Sequence, residues 1–275
     1  MSEPVARLTG HAVTETRRMA GELREAVLDD GRVVVVKRGH APGATAAEAA
    51  GLRWLASAAS VPVPAVAGHD EDWLVIDRVP AGQPSAPAAE RLGRGLARLH
   101  AAGAPAFGAA PPDGPADAWI GLAPMANVPA GDWASWYAEH RVLPYVRRAV
   151  DAGTFGSAEA ALFERACRRL PALTEPPARL HGDLWNGNVL WDGREAWLID
   201  PAAHGGHRET DLAMLWLFGC PHLDRVLAAY EEIAPLADGW AERIGLHQLF
   251  PLLVHTVLFG GSYAGQAVAA ARALG

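Results

Sequence analysis

Residues 181–200 read HGDLWNGNVLWDGREAWLID, and they restrict the local fold more than any other stretch of the chain. Two short apolar segments flank Asp192-Gly193, a dipeptide that favours a tight turn between antiparallel strands. Asp183 and, five residues later, Asn188 precede the first segment, and Asp200 follows the second. A β-hairpin here therefore sets two carboxylates and one amide around itself. Phosphoryl transfer needs that set: one carboxylate to receive a hydroxyl proton, and an Asn with a second carboxylate to hold Mg²⁺ against nucleotide phosphates.

The chain has 275 residues, enough to bury a sizeable core as one bilobed enzyme or two small domains. Half of it is hydrophobic and 20% is charged, as in ordinary globular proteins. A net charge of −7 argues against a nucleic-acid partner and is easier to reconcile with a cationic substrate. Cys167 and Cys220 sit in apolar helical contexts without metal-like spacing, which predicts buried thiols in a reducing cytosol. The opening MSEPVARLTG lacks the basic and apolar regions of a signal peptide. Leu249–Phe259 is the longest apolar run, but Pro251 and His255 interrupt it and it is too short to span a membrane. It predicts a core helix, and the chain is expected in the cytoplasm with no membrane partner.

Strand signals dominate the first 80 residues: Val13–Ala20, Glu22–Leu28, Arg32–Arg38 and Trp73–Asp77, the third nearly all valine as in a buried strand. Pro42–Ser57 has helical spacing. From Ala86 the pattern turns helical, with Leu92, Leu96 and Leu99 on one face. Residues 104–131, rich in Pro, Gly and Ala, predict a packed loop. Helices are expected at Trp133–Ala152, Ser157–Leu170, Arg208–Phe218, Pro221–Ile233 and Trp240–Leu274, the last broken near Gly260-Gly261. The expected class is α+β: a small antiparallel-sheet lobe over residues 1–80, then a larger, mostly helical lobe over 81–275 that carries the hairpin.

Of 24 basic residues, 23 are arginine and only Lys37 is lysine. It ends the valine strand, and Glu48 follows eleven residues later on the next helix, where it can pair with the ammonium and aim it at nucleotide phosphates. Asp183 is the candidate catalytic carboxylate, and Asn188 and Asp200 are the candidate Mg²⁺ ligands. Trp185 offers a rigid amphipathic wall for a substrate, whereas Trp119, Trp136 and Tyr137 read better as packing residues. His181 and His207 are expected to brace the catalytic loop through hydrogen bonds. His181, His204 and His207 beside Asp183 and Asp200 also suggest a binuclear metal hydrolase, a reading that leaves Lys37, Glu48 and the lobe order unexplained.

HGDLWNGNVLW resembles the catalytic loop of the fructosamine-3-kinase family, within the aminoglycoside-phosphotransferase-like kinases, including Trp185. Residues 199–214, 119–144 and 255–267 are also similar to family segments, so the resemblance covers nearly the whole chain. It implies a protein-kinase-like fold that uses ATP and Mg²⁺. Lys37 would contact ATP phosphates and Glu48 would pair with it. Asp77, Arg78 and Val79 would form the adenine-facing hinge, and Asp211 would accept hydrogen bonds from the catalytic-loop backbone. The implied acceptor is a ketosamine, a fructosamine or ribulosamine on a free or protein-bound amine, phosphorylated at its 3-hydroxyl in a deglycation repair. Runner-up readings are an aminoglycoside or other small-molecule phosphotransferase, and a catalytically silent ATP-binding protein. The silent reading is motivated by the nucleotide loop, Met19-Ala-Gly-Glu-Leu23, which has Gly21 alone where related kinases place a glycine pair.

Overall fold

In the computed structural model, residues 1–19 and 21–274 are described. A short helix α1 (Ser2–Thr9) leads into β1 (Val13–Arg18), β2 (Arg24–Leu28) and β3 (Val33–Arg38). Helix α2 (Ala44–Ser57), β4 (Val66–His69) and β5 (Trp73–Asp77) complete an antiparallel sheet of order β1-β2-β3-β5-β4. The valine run of β3 follows from coverage of both sheet faces. Val34 and Val36 pack with Val5 of α1, Ala26 and Val75, while Val35 faces the side on which Ala49 and Leu52 of α2 meet Leu74 and Ile76. Strand alternation therefore puts Lys37 on the α2 side of the sheet, two residues beyond Val35.

Helix α3 (Ala86–Ala101) begins at Ser85, whose hydroxyl accepts the Ala88 N–H, and buries Leu92, Leu96 and Leu99. A hairpin of β6 (Asp117–Ile120) and β7 (Ala123–Ala126) follows, then α4 (Trp133–Trp136), a π-helical turn over Tyr137–Val142, α5 (Leu143–Asp151) and α6 (Ser157–Cys167). Strand β8 (Ala178–Leu180) precedes the hairpin of β9 (Val189–Trp191) and β10 (Ala196–Leu198), and β11 (His204–Gly206) returns to pair with β8. Helices α7 (Glu209–Phe218), α8 (Leu223–Glu231), α9 (Trp240–Phe259) and α10 (Ser262–Ala273) close the chain. The α+β class and lobe order agree with the sequence reading. No helix among the described residues is long and apolar enough to cross a membrane.

One expectation needs correction: the loop over residues 104–131 holds β6 and β7, and helix α1 and strands β4, β8 and β11 have no counterpart in the sequence reading. Gly121, at φ +54°, makes the turn between those two strands. Helix α9 runs through Pro251 because a side chain repairs the hydrogen-bond ladder there. The buried Tyr137 hydroxyl accepts the Phe250 N–H at 3.1 Å and donates to the Leu246 carbonyl at 3.0 Å. The two cysteines are half-buried, and burial pushes their thiols up to about 11 for Cys167 and about 12 for Cys220.

Candidate active site

The β9–β10 hairpin forms at the Asp192-Gly193 turn, where Asp192 accepts the backbone N–H of Arg194 and Glu195. Just before it, Trp185 to Asn188 coil into a single 3₁₀ turn, with the Asn188 N–H donating to the Trp185 carbonyl at 2.9 Å. This turn swings Asn188 back onto Asp183. The Asn188 Nδ2 donates to the Asp183 carbonyl at 2.8 Å and to its carboxylate Oδ2 at 3.1 Å. With the nitrogen so used, the amide oxygen is the atom left for a cation. Asp200 stands at the far end of the hairpin with φ +52°, a left-handed conformation uncommon outside glycine, and the Asn188 Nδ2 also reaches its carbonyl at 3.4 Å.

The sheet supplies the opposite charge. Lys37 Nζ donates to Glu48 Oε1 at 2.5 Å and forms an ion pair with Asp200. Burial disfavours the ammonium, but the two carboxylates outweigh it and hold Lys37 above its usual pKa. The Asp183 carboxyl is pushed up to about 7, mainly by burial; the Asn188 hydrogen bond opposes this, and the negative charges of Asp200 and Asp211 add to it.

The loop is fixed from behind by Asp211. Its carboxylate accepts the His181 N–H at 2.7 Å and the Gly182 N–H at 2.9 Å. Burial works against this charge, yet the His100 ring, 3.2 Å away, and the loop N–H groups keep the carboxyl below its usual range. His100 is held in turn by the Tyr230 hydroxyl at 2.8 Å. His181 Nε2 lies 2.9 Å from the Ile199 carbonyl, which puts the ring proton there, and its Nδ1 accepts the Asp183 N–H at 3.3 Å. Gly182 has φ +82°, and a Cβ there would run into the Ala202 carbonyl.

A cavity of about 530 Å³ joins Gly21, Lys37, Glu48, Asp183, Asn188 and Asp200, with the 39% exposed Trp185 on its wall. An adjoining cavity of about 400 Å³ is an apolar slot between Val35 and Ile76 on one side and Leu190 and Ile199 on the other, edged by Asp77, Arg78 and Val79. The Arg78 N–H donates to the Val33 carbonyl at 3.0 Å and its guanidinium pairs with Glu25. Gly21 sits at φ +59° beside Glu22; Ala20, also in that loop, lies outside the described residues. An apolar slot that leads to an ammonium and then to hard oxygen donors fits a nucleotide with a divalent cation.

The structure thus gathers every candidate from the sequence except His207. That ring stacks on His247 at 4.9 Å and lies 3.6 Å from the Glu175 carboxylate, apart from the catalytic loop. His207, Glu209 and His247 bring their ligand atoms within 4.8 Å of one another, but Arg243 already holds Glu209 through both carboxylate oxygens, at 2.6 and 2.9 Å. His204 turns to the Ala202 carbonyl at 2.8 Å, so the histidines do not converge with Asp183 as a binuclear hydrolase requires. Trp136 and Tyr137 are buried, and Trp119 edges the larger cavity with its Nε1 donating to the Pro42 carbonyl at 3.2 Å. His100 and Tyr230 were missed: each lies more than a hundred residues from its partner, and only the leucine face of α3 hinted at a buried helix.

Fold and cleft together define a protein-kinase-like phosphotransferase architecture with a cleft that fits a nucleotide. The chain belongs to the fructosamine kinase family, whose model, described as "Fructosamine kinase", matches residues 8–274. It is 35% identical over 235 residues to the probable ketoamine kinase of Thermus thermophilus, covering 85% of this chain and 83% of that protein. The crystal structure of a Thermobifida fusca protein assigned as a fructosamine-3-kinase superposes with a TM-score of 0.93 at 48% identity, covering 100% of this chain and 98% of that one. An aminoglycoside phosphotransferase crystallised with ADP and hygromycin B shares the fold, with a TM-score of 0.63 at 17% identity over 99% of this chain and 98% of that one.

Proposed function

We propose that the protein transfers the γ-phosphoryl group of ATP to the 3-hydroxyl of a ketosamine, a fructosamine or ribulosamine, and so takes part in removing sugar adducts from amines. The observation that carries this reading is the single cavity shared by Lys37, Asp183, Asn188, Asp200 and Trp185. The apolar slot beside residues 77–79 receives the adenine, and Lys37, oriented by Glu48, meets the phosphates. Asn188 and Asp200 would hold Mg²⁺, which supplies charge neutralisation on the phosphates when bound.

Asp183 orients the acceptor hydroxyl and takes its proton on the carboxylate. A carboxyl titrating at about 7 suits that task, because a base works best when its pKa is near the working pH. The Asn188 hydrogen bond on Oδ2 and the His181–Asp211 framework fix the carboxylate's direction. Trp185 forms the wall against which the sugar or its amine stacks. Glu22 beside Gly21 places a negative charge near the phosphates, so nucleotide affinity is expected to be moderate.

A panel of acceptors with coupled ADP detection tests the reading. Turnover of fructosamines or ribulosamines that vanishes in Asp183→Asn is the expected result. Activity on aminoglycosides alone, or nucleotide binding with no turnover of any acceptor, would overturn it.

A further inference from the structure

The larger cavity continues past Trp185 onto a surface with no role in phosphoryl transfer. His255, Leu258 and Phe259, from the last turn of α9, line the same cavity as Asp183. His255 and Phe259 belong to an aromatic chain that starts at Trp185: Trp185 and Phe218 have ring centroids 6.1 Å apart, Phe218 and His255 4.7 Å, His255 and Tyr263 5.0 Å, and His255 and Phe259 5.5 Å. Core packing accounts for Tyr263 but not for the two ends of the chain, because Phe259 is 67% exposed and Trp185 39%. The break between α9 and α10, with Gly260 and Gly261 both at φ +59°, folds Tyr263 back to within 6.2 Å of Phe259. His255 Nδ1 lies 2.8 Å from the Pro251 carbonyl, which fixes the proton there and leaves Nε2 as an acceptor; burial lowers the ring's pKa, so it stays neutral.

We propose that His255 and Phe259, backed by Phe218 and Tyr263, bind the amine-borne part of the acceptor, and that they select ketosamines whose nitrogen carries an aromatic or long aliphatic substituent. This rests on the proposed ketosamine kinase activity. With the sugar hydroxyl at Asp183 and the sugar against Trp185, the wall of His255, Leu258 and Phe259 lies in the same cavity and is open to the nitrogen and its substituent. Ring faces and one neutral acceptor nitrogen suit a protonated secondary amine followed by an apolar group.

The test compares two fructosamines, one on methylamine and one on phenethylamine, in the full-length protein and in Phe259→Ala and Phe259→Ala/Tyr263→Ala. The wild type is expected to favour the phenethylamine adduct in kcat/KM by about 3- to 10-fold, through KM, as an aromatic contact of this kind allows. The variants are expected to bring that ratio close to one. Equal kcat/KM for the two adducts in the wild type, or a ratio unchanged in variants that keep the wild-type circular dichroism, overturns the inference, as does an equal loss on both adducts. A wild type that phosphorylates neither adduct refutes the ketosamine reading itself, a result distinct from an unselective kinase. Because Phe259 is mostly exposed, its truncation leaves the core intact, and the single variant keeps the experiment interpretable if the double variant misfolds.

Discussion

Asp183 is kept in a setting that opposes its own charge. Its carboxyl titrates at about 7 in the fold and near 4 when unfolded, so between those values the folded chain binds the proton more tightly. Stability therefore falls as pH rises from about 4 to about 7, and above that the full cost of the buried charge is present. Asp183→Asn is neutral throughout and escapes the cost. It should lower kcat by about 10²- to 10⁴-fold and yet raise stability by on the order of 2 kcal/mol at pH 8, a gain that disappears near pH 4. Urea unfolding at the two pH values measures this, and wild-type kcat/KM should show an acid limb near pH 7 that is absent from the variant's residual rate. Lys37→Ala leaves the carboxylates of Glu48 and Asp200 facing each other. Because Asp200 is 44% exposed, the expected stability loss is only about 1–2 kcal/mol, with a much larger loss in nucleotide turnover.

Among the elements, strands and helices with a strong local pattern were readable: β3, β5, α2, α3 and the hairpin all fall within a few residues of their expected places. The unreadable ones depend on partners far along the chain. Strand β11 is three residues that acquire their conformation by pairing with β8, and β4 is defined by its pairing with β5. Helix α9 lies where the sequence places it; what the sequence does not show is Tyr137, whose hydroxyl bridges the ladder beside Pro251. Tyr137→Phe should keep the packing but strand the Phe250 N–H and the Leu246 carbonyl, costing about 1–3 kcal/mol in a denaturant titration. Asp211→Ala should cost about 2–4 kcal/mol, because the His181 and Gly182 N–H groups lose their buried acceptor. Its kcat should fall even where the protein remains folded, since the catalytic loop loses its support.

For the whole molecule, the two parts of the cleft meet through a pair 163 residues apart in sequence, Lys37 and Asp200. A nucleotide and cation in this cleft would touch both the sheet and the hairpin and bind only the folded chain. An ATP analogue with Mg²⁺ at one hundred times its Kd should therefore stabilise the protein by about 2.7 kcal/mol, seen as a rise in Tm. Chelation with EDTA should remove most of the shift, and Asp200→Asn should make it insensitive to Mg²⁺. A shift that ignores Mg²⁺ in the wild type would count against Asn188 and Asp200 as the cation's ligands.

The sequence alone determined what lies within short reach: the turn, the five-residue interval from Asp183 to Asn188 and the lone lysine after a valine strand are all placed by local backbone geometry. Tertiary structure decided what holds and surrounds that chemistry. It brought His100 and Tyr230 behind Asp211, turned His207 away into a separate buried network, and linked Phe259 and Tyr263 through His255 and Phe218 to Trp185. The physical reason is that backbone periodicity fixes which face of an element a side chain occupies, whereas the partner it meets across the core is set by how the elements pack, and no local pattern records that packing.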